Sequence, residues 1–185
     1  MITIVSGLPR SGTSLMMQML VAGGMTALSD GEREADSDNP RGYLEWERIK
    51  QLPKDPNCIA EAEGKVVKVI SWLLLSLPPG HEYRIIFMQR PLAEVLASQD
   101  HMRRRRGTYK EGADLSPTFE KHLREAYSWL EDQPHVKALR VPYHEALSKP
   151  KQIAQRLAQF LGINLDVEAM AQQVDASLYR NRSSG

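Results

Sequence analysis

The stretch "ITIVSGLPRSGTSLMMQML" (2–20) restricts the fold more than any other part of the chain. Residues 2–6 are a continuous apolar, β-branched run, the pattern of a parallel strand covered on both faces. A glycine turn follows. Leu15, Met16, Met19 and Leu20 then recur with a helical period, which Gly23-Gly24 stops. Strand, glycine loop and helix in this order make a phosphate cradle: backbone N–H groups turn inward and the helix N-terminus adds its dipole. Gly7, Gly12 and Ser14 keep the spacing of the G-x-x-x-x-G-K-[ST] loop, but Thr13 stands where that loop has lysine. Arg10 is the only cation of the loop, a permanently charged fork suited to an anion. Thr13 and Ser14 add hydroxyl donors.

The rest of the chain alternates in the same way. "KVVKVI" (65–70), "RIIFMQ" (84–89) and "KALRVP" (137–142) read as strands. "WLLLSLPPG" reads as an apolar turn and a stop. Pro91 opens a helix running through Val95, Leu96 and Ser98. Phe119, Leu123, Tyr127 and Leu130 share one helix face, and so do Ile153, Leu157, Phe160 and Leu161, ahead of a Gly162 stop. A last short helix is expected over 166–174. Residues 24–64 carry no sustained period beyond a short helix around 44–51. A long irregular stretch of this kind reads as a lid or acceptor-binding segment. The pattern predicts an α/β domain spanning 1–185, a three-layer α/β/α arrangement around a mostly parallel sheet.

Composition narrows the class. Of the 185 residues 42% are hydrophobic and 25% charged, with a net charge of +1, which fits a globular protein and not a nucleic-acid coat. The single cysteine, Cys58, excludes an intrachain disulfide and reads as a small packing residue. There is no leader pattern and no apolar run near the ~18–20 residues of a membrane span, so a cytoplasmic setting is expected. Charge is uneven: residues 24–64 hold ten acidic and five basic side chains, and "HMRRRRGTYK" is basic. Arg103–Arg106 read first as a solvated helix end offsetting the dipole. They could also attract an anionic donor or acceptor, but without interleaved aromatics they do not make a nucleic-acid surface.

The chemistry turns on which phosphate ester the loop holds. A nucleoside triphosphate needs the missing lysine and a metal-holding aspartate at a strand end. The strands end instead in Ser6, Ile70, Gln89-Arg90 and Val141-Pro142. A donor that carries its activated group without a metal fits better. Arg90 and Ser98 supply a fork and a hydroxyl two helical turns apart, a pair suited to a second phosphate.

Together these stretches resemble the sulfotransferase family, which uses 3′-phosphoadenosine 5′-phosphosulfate (PAPS) and releases 3′,5′-bisphosphoadenosine (PAP). Its 5′-phosphosulfate loop, approximately [KR]-S-G-T-[TS], is matched by Arg10, Ser11, Gly12, Thr13 and Ser14; its R-x7-S element is matched by Arg90 and Ser98. "VPYHEALSKPKQIAQRLAQFLGI" (141–163) is similar to the family's strand–Tyr–Glu–helix segment, with Tyr143 and Glu145 in place. The resemblance implies a P-loop NTPase-like sulfotransferase fold and transfer of a sulfuryl group to a hydroxyl or amine without metal. The acceptor would be a small molecule or a carbohydrate. Lys68 corresponds to the lysine of the family's K-T-H segment, and Arg180 and Arg182 to a C-terminal basic segment that closes over the 3′-phosphate.

One position departs from the pattern. Ile70 stands where the cytosolic branch has its general-base histidine, and isoleucine accepts no proton. "NPRGYLEWE" (39–47) resembles the N-P-[KR]-G-[YFW]-x-E segment of bacterial and carbohydrate-type members, which makes Glu45 the candidate base, with Glu47 and His101 as weaker competitors. Trp46, Trp72 and Trp129 read as core packing before adenine stacking. Two other readings stay open: a P-loop small-molecule kinase or NTPase, and a non-catalytic PAP- or PAPS-binding protein. The acceptor pocket could be small, open, or completed by a second copy in a homo-oligomer.

Overall fold

The computed structural model describes residues 1–31, 42–105, 107–109 and 114–174. Four strands form one sheet: β1 (Ile2–Gly7), β2 (Val66–Lys68), β3 (Tyr83–Gln89) and β4 (Val136–Pro142). All pairings are parallel and the order is β2-β1-β3-β4. Each expected strand is present. The second is shorter than its apolar run: β2 ends at Lys68, although the Val69 amide still donates to the Val5 carbonyl.

Alternation along the strands divides the core in two. Ile2, Ile4, Val67, Tyr83, Ile85 and Phe87 face one side with Trp46, Ile59, Leu74 and Leu130. Val5, Val66, Ile86, Met88 and Val141 face the other with Met16, Leu20, Ile153, Leu157 and Met170. Helices α1 (Thr13–Ala22), α6 (Pro150–Leu161) and α7 (Val167–Gln172) cover the second face; α2 (Ser71–Leu74) and α4 (Ser116–Asp132) cover the first. Burial on both faces explains why the strands read as unbroken apolar runs, and the result is the expected three layers. Helix α3 (Leu92–Arg105) leads away from β3, and α5 (Tyr143–Ser148) follows β4.

The helix stops behave as their sequences predict. Gly23 caps α1, and Gly162 ends α6 with a left-handed backbone at φ 68°. The short helix expected around 44–51 is a 3-10 helix at Glu47–Gln51, followed by another at Pro56–Ala62. "WLLLSLPPG" contains one helical turn, α2, and not only a loop. No helix among the described residues is long and apolar enough to cross a membrane.

The strand order has one consequence for function. The connection from β1 leads outward to β2, and the chain then crosses back past β1 to β3. Connections therefore diverge between β1 and β3, and the carboxyl ends of these strands are where ligands bind in open sheets of this kind. The loops after β1 and β3 carry Arg10 and Arg90 to this place.

Candidate functional site

The loop between β1 and α1 is folded tightly against the end of β3. A Cβ on Gly7 would sit 2.5 Å from Ser11 Oγ and 2.8 Å from the Met88 carbonyl oxygen. Gly12 precedes α1 with φ 102°, and a Cβ there would meet the Tyr143 ring at 2.4 Å. Only glycine fits either position. The first N–H groups of α1 have no intrahelical acceptor, as at any helix start, and no side chain caps them. Ser11 Oγ is buried and has no hydrogen-bond partner among the described residues. A cradle of open amides with an orphaned hydroxyl inside it suits a phosphate group.

Arg10 lies at the turn of this loop with φ 75°, a left-handed backbone that costs a non-glycine residue about 1–2 kcal/mol. Its side chain and its carbonyl both make contacts. Its Nε donates to Ser98 Oγ at 3.0 Å, and its carbonyl accepts from Arg90 Nη1 at 3.0 Å. The residues paired in sequence reasoning as a second phosphate element, Arg90 and Ser98, thus both contact the first one. Ser98 is buried in α3, just over two turns past Arg90, as the spacing predicts.

Arg90 also meets Glu94 and Tyr143. Its Nε donates to Glu94 Oε2 at 2.9 Å, and its guanidinium lies 4.9 Å from the centre of the Tyr143 ring. Glu94 in turn faces His144 Nε2 at 3.4 Å. Burial pushes the Tyr143 phenol above its usual pKa, against the pull of the Arg90 and Arg10 charges. The phenol is therefore a neutral donor at physiological pH.

On the other side of the loop, Lys68 ends β2 with its side chain buried. Its Nζ donates to Ser14 Oγ at 3.1 Å, to the Tyr43 carbonyl at 2.5 Å and to Glu45 Oε1 at 3.3 Å. The Tyr43 ring centre lies 5.7 Å away. Leu44, between these two partners, has φ 48°, and the turn it makes presents the Tyr43 carbonyl and the Glu45 carboxylate to the same ammonium. Ser29 Oγ and the Asp30 amide both donate to the Glu45 carbonyl and anchor this turn. Ile70 is 39% exposed and immediately precedes α2, while the carboxylate that reaches Lys68 comes from a different segment.

The remaining expected residues fall as follows. Arg10, Ser11, Gly12, Thr13, Ser14, Glu45, Lys68, Arg90, Ser98 and Tyr143 converge on the carboxyl edge of the sheet. Arg180, Arg182, Arg106 and residues 39–41 lie outside the described residues. Glu47 pairs with Lys50 at the surface, and His101 is exposed. Cys58 and Trp46 are buried in the core, and Trp129 packs against it. Trp72 departs from the core-packing expectation. It is 37% exposed, stacks on His122 at 4.0 Å and meets Phe119 edge-on. It sits on a helix of one turn, too short to bury a whole indole.

Sequence reasoning missed Glu94, His144, Tyr43 and the buried pair His122–Ser71, whose Nε2 and Oγ are 2.8 Å apart. Only Glu94 left a signal, four residues past Arg90 in the first turn of α3.

Comparison with known proteins bears on the fold and the family. No curated protein matches the chain. Among solved structures, the sulfotransferase STF1 from Mycobacterium tuberculosis H37Rv superposes with a TM-score of 0.62 at 15% identity, over 96% of this chain and 72% of that one. The sulfotransferase domain of the Synechococcus PCC 7002 olefin synthase gives 0.53 at 14% identity, over 96% and 78%. The sulfotransferase domain from the curacin biosynthetic pathway gives 0.51 at 15% identity, with the same coverage. These likenesses establish the fold. The family model described as the sulfotransferase domain matches residues 2–185, nearly the entire chain, and the chain belongs to that family.

Proposed function

We propose that this protein transfers a sulfuryl group from PAPS to a hydroxyl or amine of a small-molecule or carbohydrate acceptor. The observation that carries this reading is the convergence of Arg10, Arg90 and Ser98 beside the open N-terminus of α1, with Lys68 and Glu45 approaching across Ser14. PAPS would supply the activated sulfuryl group, with PAP as the leaving portion.

Each residue then has a task set by its chemistry. The amides after Gly12, with Ser11, Thr13 and Ser14, hold the 5′-phosphate. Arg10 balances the charge that grows there as the sulfur–oxygen bond breaks. Arg90 and Ser98 hold the 3′-phosphate, and Tyr143 walls that end of the site. Arg180 and Arg182 are assigned to the same phosphate on the family resemblance alone. Lys68 donates to the oxygens around the reacting sulfur, exchanging its contacts with Ser14 and Glu45 for developing negative charge. Glu45 takes the proton of the acceptor. The acceptor approaches beside the 24–64 segment, which supplies Tyr43 and Glu45 from its described part.

Thermal denaturation with two nucleotides tests the donor. PAP without added metal is expected to raise the melting temperature, and Mg-ATP to leave it nearly unchanged. Stabilisation by Mg-ATP alone would overturn the reading in favour of a P-loop kinase or NTPase.

A further inference from the structure

Glu94 is out of place for a residue in an anion site. It is 2% exposed, and among the described residues no other acidic side chain is as deeply buried. A buried carboxylate is costly unless fully paired, and here its charge also opposes any phosphate that Arg90 is to bind. Its geometry offers the compensating gain. One oxygen accepts from Arg90 Nε at 2.9 Å, and the other faces His144 Nε2 at 3.4 Å. The carboxylate therefore ties together the end of β3, the first turn of α3 and the first turn of α5. Arg90 Nη1 is committed to the Arg10 carbonyl, and the Tyr143 ring lies against the guanidinium. A long side chain is held at several points.

We propose that Glu94 is a positioning residue that aims the Arg90 guanidinium, and that selectivity for a 3′-phosphorylated nucleotide depends on it. The inference rests on the donor assignment made above. Orientation and charge predict opposite effects of removing the carboxylate. If charge dominated, its loss would tighten anion binding. If orientation dominates, its loss weakens binding of the nucleotide that carries the 3′-phosphate and spares the one that lacks it, because a bidentate charge-assisted contact depends on direction.

The test is titration calorimetry of PAP and of adenosine 5′-monophosphate with the wild type, Glu94→Gln and Glu94→Asp. The wild type is expected to prefer PAP. Glu94→Gln is expected to lose about tenfold of that preference, with binding of the monophosphate unchanged. Glu94→Asp keeps the charge but is one methylene too short to reach both partners, and its preference should fall in between. Unchanged or tighter PAP binding by Glu94→Gln would overturn the proposal, as would equal weakening of both nucleotides, the mark of a merely structural role. Should Glu94→Gln fail to fold, Glu94→Asp decides: reduced preference supports the proposal and wild-type preference overturns it. A wild type without preference would instead overturn the donor assignment, and this inference with it.

Discussion

In the proposed donor site, Arg10 and Arg90 divide the work between a fixed and a held cation. Arg10 is fixed by its own backbone, bent into a region that favours glycine, and Arg90 is held through its side chain. Arg90→Ala removes a charge-assisted contact to the 3′-phosphate, worth on the order of 1.5–3 kcal/mol. Its affinity for PAP should fall roughly 10- to 100-fold, while affinity for the 3′-dephospho nucleotide changes far less. Competition binding with both nucleotides checks this, and equal losses would remove the proposed role. The Arg90–Ser98 pair was legible because Arg90 ends a strand just ahead of α3, and eight residues, just over two helical turns, return Ser98 toward it. Glu94 was not, since nothing in a sequence distinguishes a buried i+4 partner from an exposed one. The contact between Arg10 and Ser98 joins residues 88 positions apart, and only the resemblance linked their two motifs beforehand.

At the scale of elements, α2 and α4 meet through a pair that periodicity does not show. Phe119 and Leu130 lie on the buried face of α4 as read, with Leu123 and Tyr127 partly buried beside them. His122 is one position off this row, yet it too is buried, hydrogen-bonded to Ser71 and stacked on Trp72. Burial lowers its pKa below the ordinary 6.5, with the Glu125 charge opposing in part. The unfolded chain therefore takes up this proton first as pH falls. The stability His122 contributes is complete above about 6.5 and is lost as pH drops below that range into the folded-state pKa. His122→Gln retains hydrogen-bonding groups but does not titrate in this range. Urea midpoints measured across this pH range should show a shallower acid loss in that variant, and an unaltered slope would exclude His122 as the source. The 24–64 stretch was the least legible part, because its short 3-10 turns and the Leu44 bend are set by long-range contacts rather than by a local period.

At the scale of the whole molecule, alternating apolar runs predict four strands and their covering helices, but not the order of those strands. The order β2-β1-β3-β4 is what brings loops from residues 7–13 and 90–98 to one edge of the sheet. It also places Lys68, at the end of the neighbouring strand, against Ser14. Glu45 reaches that lysine from outside the sheet, so its placement was legible only through the family resemblance. If Glu45 accepts the acceptor's proton, Glu45→Gln should keep PAP binding while turnover falls about 10²- to 10⁴-fold. Steady-state kinetics beside a PAP titration separates the two effects, and unchanged turnover would rule Glu45 out as the base.

The Lys68 ammonium belongs at once to the donor loop, through Ser14, and to the acceptor-side turn, through Tyr43 and Glu45. Under the proposed function the two substrates would therefore not bind independently. Any free energy that a bound donor draws from this shared cation is a coupling energy, and thermodynamic reciprocity requires that the acceptor alter donor affinity by the same factor. Under that function one buried charge would make the protein a linked two-ligand system, in which the affinity measured for either substrate is defined only together with the concentration of the other.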